Sequence, residues 1–366
     1  MTYYTAICFI VCMASVTMMV IVLRNEASNT ANKKCFAAVF ALILAGTAAQ
    51  WIAESMNGAD SDVLVVHKFV KTLELCIAPF PIYFWIRTVS TGWQQKAVLV
   101  LAIVNGVFQI WSAFSGKIYY FDSDSVYQFG DWHFIYTIVY GAAGVLLLAE
   151  TMKFIGRNQN SCPLPIIAIV TFIVVGMLIP SFFPDIKVSW LVIVMGLSIL
   201  YNYQNMIYEQ MDTLTGLLDR RCYEEFLKTY KKPAVFIMLD VDNFKSINDD
   251  FGHQTGDECL ITIADVIRKT YQKNGLCFRT GGDEFCVALT KNRGIEKINA
   301  EFVANLNEAR REKGVIVPNV SYGYGNYVPG NNLKEDALRE ADDMMYKFKN
   351  ENKIREAAEQ GERAEE

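Results

Sequence analysis

Ala234-Val-Phe-Ile-Met-Leu-Asp-Val-Asp242 is a short apolar run that surfaces on two carboxylates. Its length suits a buried strand, with Asp240 and Asp242 at the end. Downstream, Leu276–Arg279 and Glu284–Leu289 read as two strands flanking Gly281-Gly282-Asp283. Helical spacing runs through Leu260, Ile263, Ala264 and Ile267 within Thr255–Tyr271. Residues 295–312 suit another helix, Val315–Tyr324 another strand and 333–350 a last helix. This order predicts a βαββαβ-type α+β domain with an antiparallel sheet flanked by helices.

The chemistry sits at two places in that pattern. Acids where a buried strand surfaces suit a hard divalent cation, which takes oxygen ligands. Gly-Gly at a tight turn readily supplies positive φ angles and leaves room for a bulky ligand beside the backbone. If the hairpin lies beside the first strand, Asp240 and Asp283 converge on one metal position, an arrangement used for phosphoryl or nucleotidyl transfer. By spacing alone, an ordinary turn and exposed acids remain the alternative.

The half upstream of these motifs has another character. The first 207 residues carry 21 charges, against 52 in the remaining 159. One half has the composition of a lipid-embedded bundle and the other that of a globule. Seven apolar stretches can be drawn, at about 3–23, 35–53, 69–89, 96–114, 134–155, 164–183 and 188–207. Pro79 and Pro81 interrupt the third. The first is as long as a full span and lacks a basic leader, so it reads as a span and not a cleavable signal. Arg24, Lys33, Lys34, Arg87, Lys96, Lys153 and Arg157 fall in alternate loops, and Glu54, Asp60, Asp62, Asp122, Asp124 and Asp131 in the others, against only Lys117. Basic loops stay cytoplasmic, which predicts an outer N-terminus and an inner charged half. Lys71 and Glu74, with Lys68 a turn earlier, are ionisable groups inside a span. They read either as an interfacial pair that snorkels or as part of a polar pocket with Trp51, Glu54, Asp131, Trp132 and His133. The nine cysteines form no CxxC pair, so a disulfide framework or zinc site is not expected. A net charge of −5 excludes a strongly basic nucleic-acid binder.

Three longer motifs add a resemblance. Asp212-Thr-Leu-Thr-Gly-Leu-Leu-Asp-Arg-Arg221, the segment Asp240–Asp257 and Arg279-Thr-Gly-Gly-Asp-Glu-Phe285 resemble the GGDEF domain of diguanylate cyclases, with Ser321-Tyr-Gly and Ala341-Asp-Asp-Met-Met-Tyr346 fitting its later part. The resemblance covers about 208–353. It implies a nucleotidyl-cyclase-like fold that joins two GTP molecules into cyclic di-GMP with release of two pyrophosphates. Carried over by position, Asp240, Asp283 and the carbonyl of Val241 hold Mg²⁺ or Mn²⁺. Asp283 is the candidate acceptor of the 3′-hydroxyl proton, and Glu284 the adjacent candidate for a second metal. Asn248 and Asp257 read guanine, because a carboxylate accepts from N1 and N2 together. His253, Lys245, Lys349 and Lys353 fall at substrate or phosphate positions. Arg279 braces the turn. Where many relatives carry an inhibitory RxxD, this chain has Gln272-Lys-Asn-Gly275, which puts product inhibition there in doubt.

The expected organisation is a transmembrane sensor or anchor over 1–203, a helical stalk over 204–211, the GGDEF domain over 212–353 and a charged tail over 354–366. The expected place is the cytoplasmic membrane, multi-pass, with the GGDEF half inside. Expected partners are GTP, a second copy of the chain, membrane lipid and an unidentified ligand of the membrane domain; nucleic acid is not expected. A receptor that binds GTP without turnover, and a membrane half that only anchors, are the other readings.

Overall fold

The computed structural model describes residues 2–25, 30–90, 92–157, 164–183, 185–291, 294–312 and 316–365. It divides into two compact units, Met1–Tyr208 and Glu209–Glu366.

The first unit is a helical bundle. Its helices are α1 (Thr2–Arg24), α2 (Thr30–Ser55), α3 (Leu64–Ile77), α4 (Phe80–Val89), α5 (Trp93–Ser115), α6 (Phe134–Arg157), α7 (Leu164–Phe182) and α8 (Ser189–Tyr208). The break between α3 and α4 falls at Pro79, and Pro81 occupies the first turn of α4, where a missing N–H costs nothing. Among the described residues, six helical stretches are long and apolar enough to cross a membrane, with Leu64–Val89 counted as one; Leu164–Pro180 is apolar but shorter. Small residues let backbones close up, as they do between membrane helices. A Cβ on Gly176 would lie 2.2 Å from Val192, and one on Gly196 2.2 Å from Ile173, so α7 and α8 meet closely. Phe36, Phe40, Trp85 and Tyr201 fill the core.

The aromatic loop before α6 folds into a hairpin, β1 (Tyr119–Phe121) and β2 (Tyr127–Phe129). Asp122 Oδ1 closes its turn by accepting from the N–H groups of Asp124 and Val126. Lys71 and Glu74 are buried within the unit and paired at 2.7 Å.

The second unit is α+β. It comprises α9 (Arg220–Thr229), β3 (Ala234–Val241), α10 (Phe244–Phe251), α11 (His253–Tyr271), β4 (Gly275–Arg279), β5 (Glu284–Leu289), α12 (Ile295–Glu312), β6 (Val320–Tyr327) and α13 (Lys334–Glu365). The strands form one antiparallel sheet in the order β4-β5-β3-β6. Alternation along β3 sends Ile237, Leu239 and Val241 into a core with Leu260, Ile263 and Phe302. Ala234 and Phe236 face the opposite way, into a core with Phe226, Phe278 and Ala337.

The last strand begins at Val320, later than the apolar pattern at Val315 predicts. The carbonyls of Val317 and Pro318 and the amide oxygen of Asn319 are instead held by Arg310. Pro318 also has no N–H to give a ladder. Beyond it, β6 lies close against α13, and a Cβ on Gly325 would meet the carbonyl of Ala337 at 1.9 Å.

Candidate active site

Asp240 ends β3 at the centre of the sheet, opposite Glu284 on β5 and Ser321 on β6. The Val241 N–H donates to the carbonyl of Asp283 at 3.2 Å. The strand end and the hairpin turn are thus stitched together, and Asp283 is brought alongside the Asp240–Val241 peptide. Asp240 and Glu284 are like charges directly across a ladder, which disfavours the pairing unless a cation intervenes. In this structure the cation is Lys349, whose ammonium reaches from α13 to Asp240 Oδ1. Burial works against that charge, but Asp240 and the nearby carboxylates of Asp242 and Asp283 raise the lysine above its usual range. This corner therefore attracts positive charge from three acids. It offers two carboxylates at the strand end and turn plus backbone oxygens, a donor set that fits Mg²⁺ or Mn²⁺. The described residues contain no group of three or more His, Cys, Asp or Glu side chains placed to hold a metal by themselves.

The turn is built differently from the expected hairpin. Neither Gly281 nor Gly282 has a positive φ. Residues 280–283 form a wider loop, closed by the N–H groups of Thr280 and Gly281 donating to the Glu284 carbonyl at 3.0 and 3.3 Å. Arg279 holds its shape, donating through Nε to the carbonyls of Gly281 and Gly282 and through Nη2 to Gly282 at 2.7 Å. The same guanidinium pairs through Nη1 with Asp212 at 2.9 Å. Burial disfavours the Asp212 carboxylate, yet the hydroxyl and N–H of Thr215 and the Arg279 guanidinium together hold it below its usual range. Space lies open beside Gly282, where an added Cβ would meet nothing within 4 Å. Thr280 Oγ1 is buried beside this loop without a hydrogen-bond partner.

Asp242 is not the exposed acid its spacing allows. It is buried, and the Ser321 hydroxyl lies within hydrogen-bonding distance of both its oxygens, at 2.7 and 2.9 Å. Asn352 on α13 approaches at 3.4 Å, and burial pushes the carboxyl up. No short sequence signal reveals this bracket, because its members lie 79 and 110 residues apart.

The remaining candidates line the α10–α11 corner. Gly252 turns it at φ +84°, a conformation that glycine adopts without strain. Asn248 packs on the first turn of α11: a Cβ on Gly256 would lie 2.0 Å from its Oδ1. Asp257 follows Gly256 and is exposed, as are His253 and Lys245. Asn248 thus packs against the residue that precedes Asp257; Lys349 instead joins the acids. Lys353 belongs to α13 but lies outside the residues whose side chains are described.

Residues 209–355 match the sequence family described as "Diguanylate cyclase, GGDEF domain", and this C-terminal unit is a GGDEF-like α+β domain. Similar proteins include diguanylate cyclase DgcS of Shewanella oneidensis, 42% identical over 98 residues, or 25% of this chain and 33% of that protein. Another is the probable diguanylate cyclase DgcJ of Escherichia coli, 31% identical over 157 residues, covering 39% of this chain and 30% of the relative. The uncharacterized protein YtrP of Bacillus subtilis is 44% identical over 82 residues, 21% of this chain and 14% of YtrP. The chain thus spans a third or less of the length of these relatives. Among solved structures, the GGDEF domain of DgcB from Caulobacter crescentus in complex with c-di-GMP is 25% identical, covering 39% of this chain and 89% of that one, with a TM-score of 0.35.

Proposed function

We propose that this protein is a membrane-bound diguanylate cyclase that condenses two GTP into cyclic di-GMP and two pyrophosphates. The observation that carries the reading is the meeting of Asp240 and Asp283 at one corner, with a cationic side chain already drawn to them.

In this reading Asp240, Asp283 and the Val241 carbonyl hold Mg²⁺ or Mn²⁺, which when bound neutralises triphosphate charge and polarises the α-phosphoryl group. The 3′-oxygen of one GTP bonds to the α-phosphorus of the other as the bond to pyrophosphate breaks. The 3′-hydroxyl proton goes to Asp283, and Glu284 adds acceptor oxygens beside it. Lys349 leaves Asp240 for the incoming phosphates, joined by Lys245 and Lys353. Asn248 and Asp257 take the guanine edge, with His253 at the same corner. Asp257 favours GTP over ATP, because adenine lacks the paired N1 and N2 donors.

One such site holds one GTP, so closing two phosphodiester links calls for two copies face to face, which a two-fold homodimer supplies. The seven apolar stretches would place the bundle in the cytoplasmic membrane with the GGDEF domain inside. Residues 204–211 would serve as the stalk between 1–203 and the catalytic segment 212–353, with 354–366 as a tail. A ligand that repacks the bundle would then alter how two catalytic halves meet.

The test is incubation of the detergent-solubilised protein with GTP and Mg²⁺, followed by chromatography of the products. Cyclic di-GMP and pyrophosphate are expected in a one-to-two ratio. Bound but unconverted GTP would replace this reading with that of a nucleotide-binding receptor.

A further inference from the structure

The helical unit encloses a cavity of about 290 Å³ at the end where α8 begins. That is the small end of the range for ligand sites, roughly 300–1,000 Å³. Two Lys–Glu pairs stand in its wall. Lys71 and Glu74 are both buried, and the Lys71 ammonium lies 4.4 Å from the centre of the Tyr127 ring. The hairpin is held there by Asn57, which accepts from the Tyr127 N–H at 3.2 Å and donates to Glu54 Oε2 at 2.7 Å. Glu54 in turn pairs with Lys187, which is only a third exposed.

A buried ion pair is a poor way to gain stability, since an apolar pair of similar volume usually does as well or better. In an apolar bundle, ionisable groups mark function. Gln109 supplies a second and independent sign. It lines the same cavity, is fully buried, and spends its Nε2 on Asn105, while its Oε1 has no hydrogen-bond partner. An orphaned buried acceptor asks for an N–H donor.

We infer that this cavity is a binding site for a small zwitterion of the free amino acid class. Its ammonium would face Gln109 Oε1 and the Glu74 and Glu54 carboxylates, and its carboxylate the Lys71 and Lys187 ammoniums. The two pairs balance in charge and Asp185 adds one acid to the wall, so a solute carrying only a negative charge is disfavoured, while a simple cation leaves the two ammoniums without a partner from the ligand. A zwitterion meets both signs. Tyr127, Tyr136 and Trp190 in the wall add aromatic surface for its body and for its ammonium.

The experiment uses the full-length chain in nanodiscs of phosphatidylethanolamine and phosphatidylglycerol, read by melting and by calorimetric titration. It needs no GTP turnover, so failure of the cyclase reading leaves it intact. The probes are free L-amino acids with small, aliphatic, aromatic and polar side chains. Phenethylamine and 3-phenylpropionate serve as single-charge relatives of phenylalanine. At least one amino acid is expected to bind saturably and raise the Tm, with single-charge relatives of the best binder at least about tenfold weaker. Lys71→Met combined with Glu74→Leu is expected to melt no lower than the parent without ligand and to lose the shift. Gln109→Leu should weaken binding by about tenfold, the cost of one lost hydrogen bond. Absence of a shift with every amino acid at millimolar concentration overturns the inference. So does equal binding by the single-charge relatives, or full affinity in either variant. Should the double variant fail to fold, Gln109→Leu decides alone.

Discussion

The N–H of Val241 donates to the carbonyl of Asp283, 3.2 Å away, and so ties the end of the central strand to the loop that carries the second carboxylate. This bond is backbone to backbone, so side-chain variants at 283 leave it in place and probe chemistry apart from fold.

Asp283→Asn should lower cyclic dinucleotide formation by at least about a hundredfold, the usual scale for losing a proton acceptor. The Tm should stay within about 1 °C of the parent, since an amide of the same shape replaces a half-buried carboxylate whose loop is held by backbone bonds. Product chromatography and a melting curve on one preparation check both halves.

Gly256→Ala tests how the proposed guanine corner is built. The new methyl would sit 2.0 Å from Asn248 Oδ1, so Asn248 must swing away. The expected outcome is a rise of about tenfold or more in KM for GTP, as one or two base contacts are lost, with kcat changed less. A variant with unchanged KM would separate Asn248 from the nucleotide.

Lys349→Met removes the cation that Asp240 holds in this structure. Without that competitor the acids should take up Mn²⁺ more tightly, by about tenfold, in the absence of nucleotide. GTP should bind more weakly, because a phosphate contact goes with the same side chain. Titration of Mn²⁺ by electron paramagnetic resonance and of GTP by calorimetry should therefore move in opposite directions.

Arg279 and Asp212 couple the loop to the segment before α9. The Asp212 carboxyl is held below its usual range, so its folded value lies under the unfolded one of about 3.9. Its stabilisation is present above that value and is lost as pH falls through the folded value. Asp212→Asn should cost about 1–3 kcal/mol at neutral pH. The gap between parent and variant should begin to narrow below about pH 4 and close only once the pH passes under the folded value.

Much of the C-terminal half is legible in one dimension. Strand β3 announces itself by an apolar run ending on an acid, and α11 by apolar residues every three to four positions, because each local pattern buries one face. The motifs also mark Asp240, Asp283, Asn248 and Asp257. The pattern placed the final strand too early, since nothing local shows that Arg310 captures the carbonyls before it. It also led to positive φ angles at Gly281 and Gly282 that the wider, Arg279-braced loop does not use.

The order of residues along the chain is enough to divide it into an apolar and a charged half, to set the strand and helix order, and to put acids at element ends. These follow from composition and short-range periodicity, which act over a few residues. It takes the folded chain to make Asp242 a buried acceptor for Ser321, to lay Lys349 on Asp240, and to enclose Lys71 and Glu74 as a pair. The first two contacts join residues 79 and 109 apart, where chain closure has to be made good by packing. In the third the partners are near in sequence, but their burial depends on a hairpin that folds over them from more than fifty residues away.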